Sequence, residues 1–158
     1  ELKLLGIGIK STMQVSIVRS SLVYGPGVKG NLKLMLSSIE KWWFPPLPEV
    51  YNRRSMIHVD DLVRVLFLIA GNYHTDGQIY IATDTKAYSS REIYEAMCNL
   101  LGKTVPSWSV PKFLFDFLAL VSPRKRYQIE KLFGDEFYSA RKLKVLGFCP
   151  KYSIKDWQ

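Results

Sequence analysis

The sequence predicts an α/β fold with few strands, several helices and a sheet that is incomplete by itself. Two observations carry this expectation. Short apolar runs bounded by turn residues occur at Gln14–Arg19, Ser55–Val59 and Gln78–Ala82, and their length suits buried strands. Between and after them, apolar residues recur at three- and four-residue spacing, as in helices with one buried face. Such a small set of strands falls short of a complete nucleotide-binding sheet.

Each element has a local reason. Glu1–Lys10 reads as an amphipathic helix with no N-cap before it. Val15, Ile17 and Val18 make Gln14–Arg19 a buried parallel strand, and Tyr24-Gly-Pro-Gly27 is a turn. From Asn31 to about Trp43, the residues Leu32, Met35, Leu36, Ile39 and Trp43 share a helical face. Phe44-Pro-Pro-Leu-Pro48 then breaks the helix as a stiff loop. After the strand Ser55–Val59, Asp60 is expected to cap a helix that buries Leu62, Val65, Leu66 and Ile69. Ser89 and Glu92 spell a capping box for a helix to Leu101, stopped by Gly102. Pro111 suits the first position of the next helix. A last helix over Ser139–Leu146 closes at Gly147, with Pro150 beyond, and Ser153 resembles the cap of a helix that barely begins. Helical sequence at both ends predicts a partial chain.

Composition narrows the function classes. The 158 residues suffice for a sizeable core, and 47% are hydrophobic against 23% charged, so whole-chain disorder is not expected. Cys98 and Cys149 form no metal or disulfide pattern, which fits a cytoplasmic protein. The apolar runs Val65–Ala70 and Phe113–Val121 are too short to span a bilayer, so no membrane partner is expected. The net charge of +8 suits either solubility or an anionic partner. No RNA-binding signature or zinc-finger spacing is present, so nucleic acid is not expected.

Several motifs invite chemistry. Gly25-Pro-Gly-Val-Lys-Gly30 spells GxGxxG between a strand and a helix. Against a dinucleotide site, Ser20–Tyr24 intervene after the strand, and Pro26 lacks an N–H for the pyrophosphate. The helix begins only after the third glycine, and no acidic strand end follows about 20 residues later. The helix N-terminus near Gly30 and Asn31 still suits a phosphate group. Tyr127/Lys131 and Tyr138/Lys142 have the Tyr-xxx-Lys spacing of a proton-transfer pair, in which Lys lowers the Tyr pKa. Neither follows a buried strand bearing a Ser or Thr, so both read as coincidences. Arg53-Arg54 at a strand mouth offers a bidentate phosphate contact, although spacing alone favours a solvated pair. His58 is expected to bond a nearby backbone group, and His74 has no evident partner. No catalytic triad and no metal site can be assembled.

Four segments together resemble the extended short-chain dehydrogenases. Val18-Arg-Ser-Ser-Leu-Val-Tyr-Gly-Pro-Gly27 looks like the strand and loop after their catalytic helix. Arg54-Ser-Met-Ile-His-Val-Asp-Asp-Leu62 looks like their Arg-Asp-Tyr-Ile-His-Val-x-Asp-Leu element. Gly30-Asn31-Leu32 resembles a segment whose Asn contacts a nucleotide diphosphate. Ala140–Pro150 resembles the family's Ser-Lys-x-x-x-x-Leu-Gly-Trp-x-Pro. The likeness covers nearly the whole chain and is greatest to UDP-glucose 4-epimerase-like NAD-dependent epimerases and dehydratases, including relatives that build bacterial surface polysaccharide.

The resemblance implies the C-terminal part of a Rossmann-type enzyme. Residues 1–30 would be the remnant of the dinucleotide-binding domain. Residues 31–158 would be mostly substrate-binding domain, with 55–71 returning to the Rossmann part. Ser21, Leu22 and Val23 would line the cofactor cleft, while Tyr24, Asn31 and Arg54 would serve the substrate, the last two at its diphosphate. Asp61 would be a structural helix-start residue. The glycine-rich loop, the catalytic Ser or Thr and the Tyr-xxx-Lys pair would precede Glu1. No catalytic residue is therefore expected here, and the chain alone would be inactive, without bound cofactor. NAD or NADP would serve the parent enzyme, a homodimer acting on a UDP-sugar. Leu22 stands where many epimerases carry Asn, Ser55-Met56 replaces Asp-Tyr, and Tyr138 and Ala140 replace Asp and Ser. These departures leave open the sugar and the choice between epimerase and 4-ketoreductase. A non-catalytic basic binding module is the reading from another class.

Overall fold

The computed structural model describes residues 1–121 and 123–157. In chain order the elements are α1 (Leu2–Lys10), β1 (Ile17–Ser20), β2 (Leu22–Tyr24), α2 (Gly30–Glu40), β3 (Met56–His58), α3 (Val59–Ala70), β4 (Ile79–Ala82), α4 (Ser90–Leu100), α5 (Lys112–Val121), α6 (Pro123–Phe133) and α7 (Arg141–Val145). Short 3-10 turns lie at Tyr73–Thr75 and Ile154–Asp156. The elements form two compact units that alternate along the chain. One contains Glu1–Gly25, Ser55–Lys86 and Tyr138–Ser153; the other contains Pro26–Arg54, Ala87–Phe137 and the chain from Ile154.

The first unit is an α/β layer built on parallel strand pairs. β1 lies beside β4, with Ile17 opposite Ile79 and Ser20 opposite Ala82. β2 lies beside β3, with Leu22 opposite Met56 and Tyr24 opposite His58. Parallel pairing needs a crossover between partners, and α3 joins β3 to the residues leading into β4. The Asp84 N–H donates to the Met56 carbonyl at 2.8 Å, tying the chain after β4 to β3. The core gathers Ile57, Val65, Ile69, Tyr80, Leu143 and Phe148 from the strands, α3, α7 and the turn after it. These are the apolar positions whose alternation or helical spacing marks a buried face.

The strand pattern differs from the sequence expectation in one instructive place. Gln14–Arg19 narrows to β1, and Leu22–Tyr24, expected as irregular chain, is β2. A three-residue strand carries almost no periodicity; it is defined by its partner β3. The strand over Ser55–Val59 stops at His58, and α3 starts at once. The cap is His58, not Asp60: its Nδ1 accepts the Asp60 N–H at 3.2 Å. Asp60 and Asp61 occupy the first turn instead, where negative charge favours the helix dipole.

The second unit is helical. Leu32, Met35 and Ile39 of α2 are buried, as are Ile93, Tyr94 and Met97 of α4. The capping box forms as expected. Ser89 Oγ accepts the Glu92 N–H at 3.1 Å, and the Glu92 carboxylate accepts the Ser89 N–H at 2.7 Å. Helix α2 ends at Glu40, short of the expected Trp43, because Trp42 turns into the left-handed region at φ 61°. Lys103 closes that end, donating to the Ile39 and Glu40 carbonyls at 2.9 and 2.6 Å. Pro111 lies just outside α5. Helix α6 is the element sequence reading missed. Its polar residues show no broad apolar face, but the Phe115–Phe133 ring contact at 5.2 Å packs it antiparallel to α5. No helix among the described residues is long and apolar enough to cross a membrane.

Candidate functional site

In the first unit, Ser21, Leu22, Val23 and Tyr24 lie consecutively along β2 and its entry. Ser21 donates twice to the Ala82 carbonyl, from N–H at 3.0 Å and Oγ at 2.9 Å. The Leu22 N–H reaches the Ser55 carbonyl at 3.4 Å. Both amides are thus used in holding the sheet, while the side chains of Leu22 and Val23 stay half-buried. Apolar, partly covered side chains of this kind suit the wall of a cofactor cleft.

The turn after β2 is shaped by His58. The His58 ring stacks on Tyr152 at 4.3 Å and meets Tyr24 edge-on at 5.2 Å. Because Nδ1 accepts the Asp60 amide, the ring proton belongs on Nε2. Gly25 has φ 123°, and a Cβ there would stand 2.9 Å from His58 Nε2 and from Val59 Cγ1. The bareness of this glycine is therefore used by the protein itself. Two features differ from the sequence expectation: β2 leads directly into Gly25, and α2 begins at the third glycine, Gly30, rather than after it. Pro26 still lacks an N–H to donate. A dinucleotide pyrophosphate does not fit this turn in the manner of a Rossmann fingerprint.

Asp61 is fully buried and does more than start a helix. Its carboxylate accepts the N–H groups of Lys151 and Tyr152 at 2.9 and 3.0 Å, and the Arg64 guanidinium at 2.5 Å. It thereby pins the segment carrying Tyr152, the ring stacked on His58.

In the second unit, Asn31 is exposed one residue into α2, among amides that no preceding turn of helix satisfies. Arg54 is only 6% exposed. Its backbone pairs with Tyr88 in both directions, at 2.8 and 2.9 Å. One terminal nitrogen donates to the Lys131 carbonyl and the other to the Glu136 carboxylate at 2.9 Å. The Nε has no partner among the described residues. Arg54, Tyr127 and Lys131 line a shallow depression together with the carboxylates of Glu130, Asp135 and Glu136. Lys131 Nζ binds the other Glu136 oxygen at 2.6 Å, and this bond raises the Lys131 pKa. Arg53 faces elsewhere, its guanidinium 4.0 Å over the Phe137 ring. Asn31 and Arg54 share a unit, yet no hydrogen bond among the described residues joins them.

The two Tyr-xxx-Lys matches have ordinary employment. Lys131 serves Glu136, and Lys142 donates to Gln78 and to the Ile79 carbonyl at 3.1 and 3.3 Å. No cluster of three metal-ligating side chains occurs among the described residues. Glu136 and Tyr152 went unnoticed in the sequence. Each acts on a residue some eighty or more positions away or on a ring whose burial is set by folding, so no local signal marks them.

No protein-family model matches the chain. It is 28% identical to UDP-glucose 4-epimerase of Vibrio cholerae over 112 residues, 70% of this chain and 34% of that protein. It is 27% identical to human short-chain dehydrogenase/reductase family 42E member 1, over 82% of this chain and 35% of that one. Its fold matches the Bordetella bronchiseptica enzyme WbmF, solved with NAD+ and UDP, with a TM-score of 0.70 at 20% identity, covering 98% of this chain and 47% of that one. The chain is thus similar to NAD-dependent epimerases of the extended short-chain dehydrogenase/reductase family. The chain spans less than half the length of each of these relatives.

Proposed function

We propose that the chain is the substrate-holding portion of an NAD(P)-dependent nucleotide-sugar epimerase or dehydratase, nearest to UDP-sugar 4-epimerases. The parent is a cytoplasmic homodimer. The bound dinucleotide supplies hydride transfer at the sugar, and the residues that exchange protons with the sugar hydroxyl belong to the parent outside Glu1–Gln158. Leu22 and Val23 line the cofactor cleft beside Ser21. Tyr24 shapes the pocket, while Asn31 and Arg54 contact the diphosphate. The chain alone neither turns over substrate nor retains a cofactor.

One observation carries the diphosphate role: a buried guanidinium whose Nε lacks a partner among the described residues and whose neighbour Lys131 adds a second cation. Arg54 and Lys131 both hold Glu136, and an incoming diphosphate would have to displace that carboxylate beside Glu130 and Asp135, a trade that the strength of charge-assisted contacts supports. Glu136 occupies that site in the absence of ligand. Calorimetric titration with UDP and UDP-glucose tests the reading. Arg54→Lys keeps the charge but loses the fork and should weaken UDP binding by about tenfold. Asn31→Ala should weaken it less, and Glu136→Gln should tighten it by removing the competing carboxylate. Tight, salt-sensitive binding of a DNA duplex with no affinity for UDP would instead favour the basic-module reading.

A further inference from the structure

Helix α5 breaks the rule that apolar helices are buried. Its sequence, Lys-Phe-Leu-Phe-Asp-Phe-Leu-Ala-Leu-Val, has two charged residues in ten. Among its described side chains Phe115 alone is buried, against Phe133 of α6. Phe113, Phe117 and Leu120 recur at i, i+4 and i+7, and are 67%, 62% and 83% exposed. Leu114 and Leu118 widen this stripe on its flank and are exposed as well. The antiparallel hairpin places the C-terminal half of this stripe at the same end as the start of α6. There the charge turns positive. Lys125 and Arg126 are exposed, with Arg126 held 2.8 Å from Glu130. Over residues 112–133 the sequence carries five Lys or Arg against two Asp or Glu, a formal +3.

We infer that the α5–α6 hairpin is a membrane-surface contact that lays Phe113, Phe117 and Leu120 into the interface of an anionic bilayer, with Lys125 and Arg126 at the headgroups. The length excludes a span, since ten residues of helix rise about 15 Å, half a hydrocarbon core. It suits a helix lying in the interface, where an apolar face sinks between acyl chains and cations meet phosphates. Phenylalanine adds area at low entropic cost at such a boundary. Charge decides between this occupant and a second copy. An isologous contact with the two α5 helices parallel would bring two like-charged hairpin ends together, and an antiparallel one would leave Lys125 and Arg126 outside the apolar contact, whereas an anionic surface takes up the apolar stripe and the cations at once. The contact is reversible and compatible with the absence of a membrane-spanning helix, and it departs from the sequence expectation of no membrane partner. That expectation rested on the short length of the apolar runs and on Asp116 interrupting the second, which bear on a span and not on a surface contact; the exposure of α5 is a tertiary fact.

Vesicle flotation of the 158-residue chain tests it, using phosphatidylcholine vesicles and phosphatidylcholine–phosphatidylglycerol vesicles. The chain should float with the anionic vesicles, much less with the zwitterionic ones, and less as salt is raised. Phe117→Ser with Leu120→Ser should reduce partitioning on the order of a hundredfold. Both side chains are exposed, so the far-UV circular dichroism should not change, and that spectrum guards against a folding artefact. Lys125→Glu should weaken binding to anionic vesicles only. The inference is overturned if the unaltered chain stays in solution with both vesicle types. It is equally overturned if the double variant floats like the parent or if both vesicle types bind alike. It also fails if α5 proves to hold a dimer that the double variant dissociates, with no vesicle binding by either form.

Discussion

Asp61 shows how much one buried side chain can decide. Three donors from two directions converge on its carboxylate, and two of them are backbone amides of Lys151 and Tyr152. Asp61→Ala would leave those two amides without their acceptor and strip Arg64 of its carboxylate, leaving it only the Cys149 carbonyl at 3.1 Å. The expected cost is about 3 kcal/mol, in the range for losing a buried charged acceptor, measured by urea unfolding. The Tyr152 ring should loosen from His58 with it, visible as a change in near-UV circular dichroism. Tyr94 offers a pH test. Burial, then its hydrogen bond with Cys98, pushes its pKa up to about 12. A phenol unfolds to an ordinary pKa of about 10, so its contribution to stability is intact below that value. It is lost as pH rises from there through the folded pKa. A spectrophotometric titration of the tyrosines should show one ionising last, and Tyr94→Phe should remove that step. Cys98 is buried in the same place and its thiol is pushed up by burial, while Cys149 is exposed. Residue type alone could not separate the two cysteines, because only packing tells them apart.

Among the elements, legibility tracks how local the determining physics is. Helix α4 was readable because Ser89 and Glu92 sit three residues apart and cap each other. Helix α3 was readable from its apolar spacing, but its cap was not. His58 is an uncommon cap residue, selected here because β3 ends on it and Tyr24 and Tyr152 hold its ring. Strand β2 was missed since its only evidence is the pairing with β3. The turn that follows depends on this close approach. Gly25→Ala should cost about 2–4 kcal/mol, combining a forbidden φ with crowding of the added methyl against His58 and Val59. Thermal unfolding of the variant checks this, and Gly27→Ala is the control. It shares the positive φ, but its Cβ would meet nothing within 4 Å, so its cost should be the smaller of the two.

At the scale of the whole molecule, family and function were approached from opposite ends. The four matching segments pointed to the extended short-chain dehydrogenases, and the fold agrees with them. The one perfect glycine motif pointed away from the reading, and its first glycine turns out to accommodate His58. The isolated chain should therefore bind UDP without binding NAD+. Parallel calorimetric titrations with the two ligands check this, and NAD+ affinity abolished by changes at Gly27 or Gly30 would restore the discarded motif.

Most helix positions, the capping box and the buried parallel character of the first strand were available from neighbours within a few residues, while α6 and β2 were not. Periodicity and capping act over one or two turns, and such short-range terms are written directly in the order of the side chains. The engagement of Arg54 by Glu136, 82 positions away, was not available in that order. Neither was the Asp61 clasp on Lys151, 90 positions away, nor the exposure of the α5 stripe. Each depends on which surfaces the folded chain brings together or leaves bare. An apolar helix reads the same in sequence whether it faces a core or a bilayer, and only tertiary packing decides between them.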